Sequence, residues 1–125
     1  MLKDLVIFQK AYDFLKWEHV LVGKYPKAEK FVLAQKTENA ALELVSAIIE
    51  ANFRYDKTAA LPRIILALEL LRIWVRLGFD LRFMSLKQYE TGSRSLDEIG
   101  RLLGGWIKKF APSDKPKMTG DGAKG

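Results

Sequence analysis

Cysteine is absent from the 125-residue chain, histidine occurs once, as His19, and proline only four times. Without cysteine there is no disulfide framework, no thiolate nucleophile and no cysteine-ligated zinc, a pattern that fits a reducing compartment. One histidine leaves catalytic triads and metal sites short of parts, because each needs several convergent groups. His19 falls near the apolar side of its segment with Tyr12 and Leu15, so a packed, hydrogen-bonded side chain is expected. The tail Gly120-Asp121-Gly122-Ala123-Lys124-Gly125 has the glycines and lysine of a phosphate loop but no flanking strand, following helix or hydroxyl residue after the lysine. No apolar run approaches the roughly 18 residues of a membrane helix, and Met1-Leu2-Lys3-Asp4 lacks the layout of a signal peptide. These absences predict a cytoplasmic protein, not an enzyme, with no cofactor, no metal and no membrane partner.

What is present is 49% apolar and 29% charged residues, the composition of one globular domain, with a net charge of +6 that favours polyanions. Four segments carry helical periodicity. The first runs from about Leu2 to Val22, with Leu5, Phe8, Tyr12, Leu15 and Val22 inward; Gly23 ends it and Tyr25-Pro26 imposes an extended residue. The second runs from about Ala28 to Tyr55, with Leu33, Ala40, Ala41, Leu44, Val45, Ile48, Ala51 and Tyr55 inward. The third starts at Thr58 as N-cap, tolerates Pro62 in its first turn and reaches about Arg82. The fourth follows Ser85 as N-cap and spans Leu86 to Phe110 before Pro112, with Gln88 as the weaker of the two capping-box partners. The prediction is all-α: an antiparallel up-down-up-down four-helix bundle over residues 1–110, with a disordered tail over 111–125.

On the third helix Glu69, Arg72, Arg76 and Asp80 follow one another at spacings of three, four and four, one narrow charged stripe on a largely apolar cylinder. So wide an apolar arc predicts burial on more than one side and hence a subunit interface. The stripe itself reads either as a surface ladder of ion pairs or as Arg72 and Arg76 presented to a phosphate or an acidic partner. The fourth helix sets Lys87, Arg94, Arg101 and Lys108 in a line at a repeat of seven, a phosphate track diluted by Glu90, Asp97 and Glu98. Its core stripe is Leu96, Ile99, Leu103, Trp106, Ile107 and Phe110. Gly100 and Gly104 weaken this helix, and close approach by a neighbouring helix is the expected compensation.

The runs Leu71-Arg72-Ile73-Trp74-Val75-Arg76 and Ile99-Gly100-Arg101-Leu102-Leu103-Gly104-Gly105-Trp106-Ile107 resemble the accessory variability determinant (Avd) proteins of diversity-generating retroelements. Tyr25-Pro26-Lys27, with Phe31 and Leu33 after it, is similar to the wider four-helix-bundle family that includes proteins encoded by ribosomal intervening sequences. The resemblance covers about residues 5 to 110. It implies a homopentameric, basic barrel that binds the element's reverse transcriptase and its template RNA in mutagenic cDNA synthesis, without catalysing it. It also singles out Arg72, Arg76 and Arg101, the arginines inside the matching motifs. The short, less basic tail departs from the pattern. Phosphate contact to RNA, and to DNA, is expected with little base readout, since these helices expose few aromatics or amides. The competing expectation is a structural bundle of the intervening-sequence type, in which the charge serves solubility.

Overall fold

Hydrocarbon repeated every three or four residues organises the chain into α1 (Val6–Val22), α2 (Leu33–Phe53), α3 (Leu61–Asp80) and α4 (Leu86–Phe110). These come from a computed structural model that describes residues 5–110. The expected start of the first helix at Leu2 and the expected disorder of residues 111–125 lie outside the described residues. Each helix packs on its neighbours in the chain and α1 closes against α4, the order of an up-down bundle.

The turns correct several expected boundaries. After Pro26 the chain makes a short 3-10 turn, Lys27–Glu29, and α2 begins only at Leu33, whose N–H donates to the Glu29 carboxylate at 3.4 Å. Tyr25 is responsible: its ring is buried and pulls the connection inward, so the chain bends where a helix from Ala28 would run straight. At the other end α2 stops at Phe53, and Arg54 turns extended. Tyr55, expected inside, is therefore fully exposed. Lys57 folds back over the freed end, its Nζ donating to the carbonyls of Ala51 and Asn52 at 3.1 Å and Arg54 at 3.4 Å. Thr58 is not an N-cap. It donates through N–H and hydroxyl to Asp56, which opens a 3-10 turn, Lys57–Ala60, leading straight into α3 with Pro62 in its first turn. Ser85 does cap α4, and Gln88 completes the box: Ser85 Oγ accepts from Gln88 N–H at 3.1 Å while Gln88 Oε1 accepts from Ser85 N–H at 2.8 Å.

The inward edge of α1 is Ile7, Ala11, Phe14, Glu18 and Leu21, one residue out of register with the stripe expected from sequence. Tyr12 of the expected stripe is exposed, whereas Phe8, Leu15 and Val22 pack at the margin of the core. Where α1 meets α4, a β-carbon on Gly92 would stand 2.8 Å from the Trp17 ring, so glycine lets a flat, rigid side chain lie directly on the α4 backbone. Lys10 and Glu98 pair at 3.5 Å along the same seam. Replacing Gly92 with leucine should cost about 1 to 3 kcal/mol through overpacking. A denaturant melt checks this, with the midpoint expected to fall at constant slope.

Glu18 is the exception in this core: a carboxyl with 0% exposure, facing Glu38 of α2. If both were ionised, the Glu18 oxygens and Glu38 Oε1 would be buried without a hydrogen-bond donor. A proton on Glu18 resolves the conflict. Burial, reinforced by the hydrogen bond and charge of Glu38, pushes the Glu18 pKa from 4.5 up to about 9. Glu38 is held below its usual value, first by that hydrogen bond and then, against its own partial burial, by His19. His19 Nδ1 lies 2.6 Å from Glu38 Oε2. His19 is thus hydrogen-bonded as expected, but 70% exposed rather than packed. Its ring faces the wet side because the rotated stripe gives the core position to Glu18. The buried Tyr25 hydroxyl belongs to the same region, its pKa raised to about 12 by burial and by the Glu18 charge.

The sign of the pH effect follows from Glu18. Between pH 4.5 and about 9 the unfolded chain ionises this carboxyl while the fold keeps its proton, so folded molecules bind more protons and stability falls as pH rises. Glu38 acts oppositely and only on the acid side, where its depressed pKa favours the fold until it too is protonated. Melting temperature should therefore decline steadily from about pH 5 to about pH 9, and Glu18→Gln should flatten the decline and melt higher than the parent at alkaline pH. Thermal melts across that range provide the check.

Candidate nucleic-acid interface

All six cations singled out by the sequence lie on α3 and α4, and the structure divides them by what stands opposite. Arg72 is engaged within the fold. Its Nη1 donates to Asp97 at 2.6 Å and its Nη2 to the Leu96 carbonyl at 3.3 Å, both on α4, with Glu69 at 3.7 Å. It keeps the expected ladder contact to Glu69 and is in addition a brace between two helices. Arg76 is well exposed and reaches Asp80 at 3.6 Å, and Arg101 reaches Glu98 at the same distance; both are loose surface pairs. Lys87, Arg94 and Lys108 are exposed and make no salt bridge among the described residues. Glu90 and Asp97, expected to neutralise the α4 row, do not pair with Arg94, and Asp97 bonds Arg72 instead. The row runs from Lys87 to Lys108, 21 steps along the helix and about 31 Å at 1.5 Å per residue.

Gly100 and Gly104 do not bring helix backbones together, which corrects the close-packing expected of them. A β-carbon on Gly100 would stand 2.8 Å from Arg72 Nη2, so this glycine clears space for the guanidinium. Gly104 and Gly105 have nothing within 4 Å of where a β-carbon would sit. Gly104 faces a groove of about 470 Å³ between α3 and α4, lined also by Ile65, Leu68, Arg72, Gly100 and Ile107. A second groove of about 630 Å³ continues it beyond the Arg72–Asp97 bridge, between Ile73, Arg76, Leu77 and Tyr89. Ile65, Leu66, Ile73, Leu77 and Leu81 remain exposed along α3, so the apolar arc noted in the sequence is left partly uncovered by this chain.

A separate charged network was missed in the sequence. Arg63 of α3 binds Glu43 through Nε and Nη2 and Glu50 through Nη1, and Glu50 also accepts from Arg54 at 3.1 Å. Its guanidinium holds the Glu43 carboxyl below its ordinary pKa, chiefly through the hydrogen bond. The signal lay in Glu43 and Glu50, seven apart on one face of α2. Arg63 and Arg54 are neutralised here, which leaves the positive field to the α4 face and the turns.

The fold and these faces define a class: a basic four-helix bundle with a row of cations on α4, three of them without a salt bridge among the described residues, and a partly uncovered apolar groove between α3 and α4. Residues 5–110 match the family model described as bAvd-like, and the chain belongs to that bacterial Avd family, one of non-catalytic accessory proteins. Comparison with curated proteins finds no match. No helix among the described residues is long and apolar enough to cross a membrane.

The two motif arginines should part company on substitution. Arg72→Ala removes the inter-helix bonds of a one-third-exposed guanidinium to Asp97 and the Leu96 carbonyl, costing about 1 kcal/mol with Asp97 left solvated. Arg76→Ala should stay within about 0.5 kcal/mol of the parent, as exposed pairs do. Paired urea titrations measure both.

Proposed function

We propose that this protein is the accessory subunit of a diversity-generating retroelement, binding the element's reverse transcriptase and template RNA to support mutagenic cDNA synthesis. The observation that carries the reading is membership of the bAvd-like family over residues 5–110, on a chain of net charge +6 whose α4 row is free to meet phosphates. RNA lies along Lys87, Arg94 and Lys108, with Arg101 joining by releasing its weak contact to Glu98. Binding is sequence-tolerant, because lysines and arginines on a helix face grip phosphates and not base edges. Arg76 contacts the reverse transcriptase or RNA from the neighbouring helix, while Arg72 contributes by bracing the face.

The groove over Gly100 and Gly104 and the exposed α3 side chains are the contact between copies, assembled as a homopentamer. Five copies would carry a formal charge of roughly +30, and a field of that size gathers polyanions over about a Debye length. Gly104→Leu acts on this assembly and not on the fold of one chain, because the space it fills is open within the chain.

The test is RNA binding at several salt concentrations beside native mass. Replacing Lys87, Arg94 and Lys108 together with glutamine should leave the melt unchanged and reduce the slope of log affinity against log salt by about 2, at roughly 0.7 per phosphate contact on a single strand. A parent protein of single-chain mass at micromolar concentration, with affinity indifferent to salt, would instead place the protein with the structural bundles.

A further inference from the structure

The two turns that join α1 to α2 and α3 to α4 meet at one end of the bundle. Tyr25 and Phe83 pack with ring centroids 5.2 Å apart, and a β-carbon on Gly78 would collide with the Tyr25 hydroxyl, so glycine admits this ring against α3. Around the buried contact, residues 23–32 and 81–87 present Lys24, Lys27, Lys30, Arg82 and Lys87, all exposed, against one carboxylate, Glu29, which is occupied by the Leu33 N–H. None of the five makes a salt bridge among the described residues. Two helix N-termini and two C-termini meet here, so the helix dipoles largely cancel and the positive potential belongs to the side chains.

At the opposite end Lys108 and Lys109 of α4 are also exposed, but the α2–α3 turn holds its own cations internally. There Arg54 is bonded to Glu50, and Lys57 is bonded to three carbonyls.

Two further features mark the first end. Phe31 is 77% exposed, an aromatic ring left in solvent, with Lys30 Nζ 5.5 Å from its centroid and the exposed Val32 beside it. Arg82 has φ 67, the left-handed conformation at which glycine commonly ends a helix. The backbone there forms the paired bonds of a Schellman cap, Phe83 N–H to the Gly78 carbonyl at 2.8 Å and Arg82 N–H to the Phe79 carbonyl at 2.9 Å. Glycine would fit this position without steric conflict, so an arginine held there adds nothing to the cap and places a cation on the outer surface.

We infer that this end of the bundle is a single-stranded RNA site, in which Phe31 stacks on an unpaired base while Lys24, Lys27, Lys30, Arg82 and Lys87 hold the flanking phosphates. The inference rests on the proposed RNA role and adds to it where the strand goes, since Lys87 begins the α4 row and joins the two surfaces. An exposed aromatic among lysines selects unpaired nucleotides over duplex, because only an unstacked base offers its face.

The experiment measures binding of a fluorescein-labelled 12-nucleotide single-stranded RNA and of a blunt RNA duplex to the parent, Phe31→Ala, Arg82→Gly and Arg94→Gln, with thermal melts of each. Phe31→Ala should weaken single-strand binding about fivefold or more at an unchanged salt slope, since stacking is not electrostatic. Arg82→Gly should lower the salt slope by about 0.7 while melting no lower than the parent. Single-strand affinity unchanged in both variants overturns the inference, and if Arg94→Gln alone is impaired, RNA binding by the α4 row stands without the end site. Equal parental affinity for duplex and single strand also overturns it. So does Phe31-dependent binding to phosphatidylglycerol vesicles with RNA affinity unchanged in Phe31→Ala, which would assign the end to a membrane surface.

Discussion

The proton on Glu18 is what allows α1 to turn its Ile7, Ala11, Phe14 and Leu21 edge inward. An ionised carboxylate in that position would have to be desolvated without a compensating donor, a penalty of several kcal/mol and a large part of a small domain's stability. Kept protonated, Glu18 bonds Glu38, and the pairing fixes the rotation of α1 against α2. That rotation in turn brings Trp17 onto the α4 backbone at Gly92 and leaves His19 outside to pair with Glu38. The same register buries Tyr25, whose ring ties the first turn to the third helix. The rotation that this one acid sets therefore bears on contacts to each of the other three helices.

Charge is distributed on a similar economy of position. The arginines that look across to acids on another helix, Arg63 and Arg72, hold helices together. Those facing outward along α4 and at the paired turns have few or no local partners, so their fields extend into solvent. A basic protein whose cations were all paired would be soluble and inert toward phosphate; here the unpaired ones share contiguous surfaces.

Most of the fold was legible because α2, α3 and α4 repeat hydrocarbon at helical spacing, and Leu44, Ile48, Leu96 and Ile99 are buried as that spacing requires. The stripe of α1 was misplaced because residue type does not reveal protonation state: Glu18 in solution is an anion, and only its surroundings make it neutral. The glycines failed for a related reason. Gly100 and Gly104 have the spacing of a packing motif, but whether a glycine is needed depends on what lies opposite, and Trp17 is remote in the chain from Gly92. Arg72 and Arg76 likewise look equivalent four residues apart. One faces Asp97 across a helix boundary and the other faces water.

The ring of Trp17 lying on Gly92 also bears on the order in which the fold forms. The other extensive contacts between α-helices join neighbours in the chain across short turns, contacts that form quickly because little chain must be ordered to make them. The α1–α4 seam alone joins the first helix to the last, and its loop-closure entropy is met cheaply only once α2 and α3 have brought the two within reach. Docking of the indole onto the bare α4 backbone is then a late step, and changes there act mainly on how fast the bundle opens and little on how fast it assembles. A protein organised this way holds its outer seam as the part that yields first.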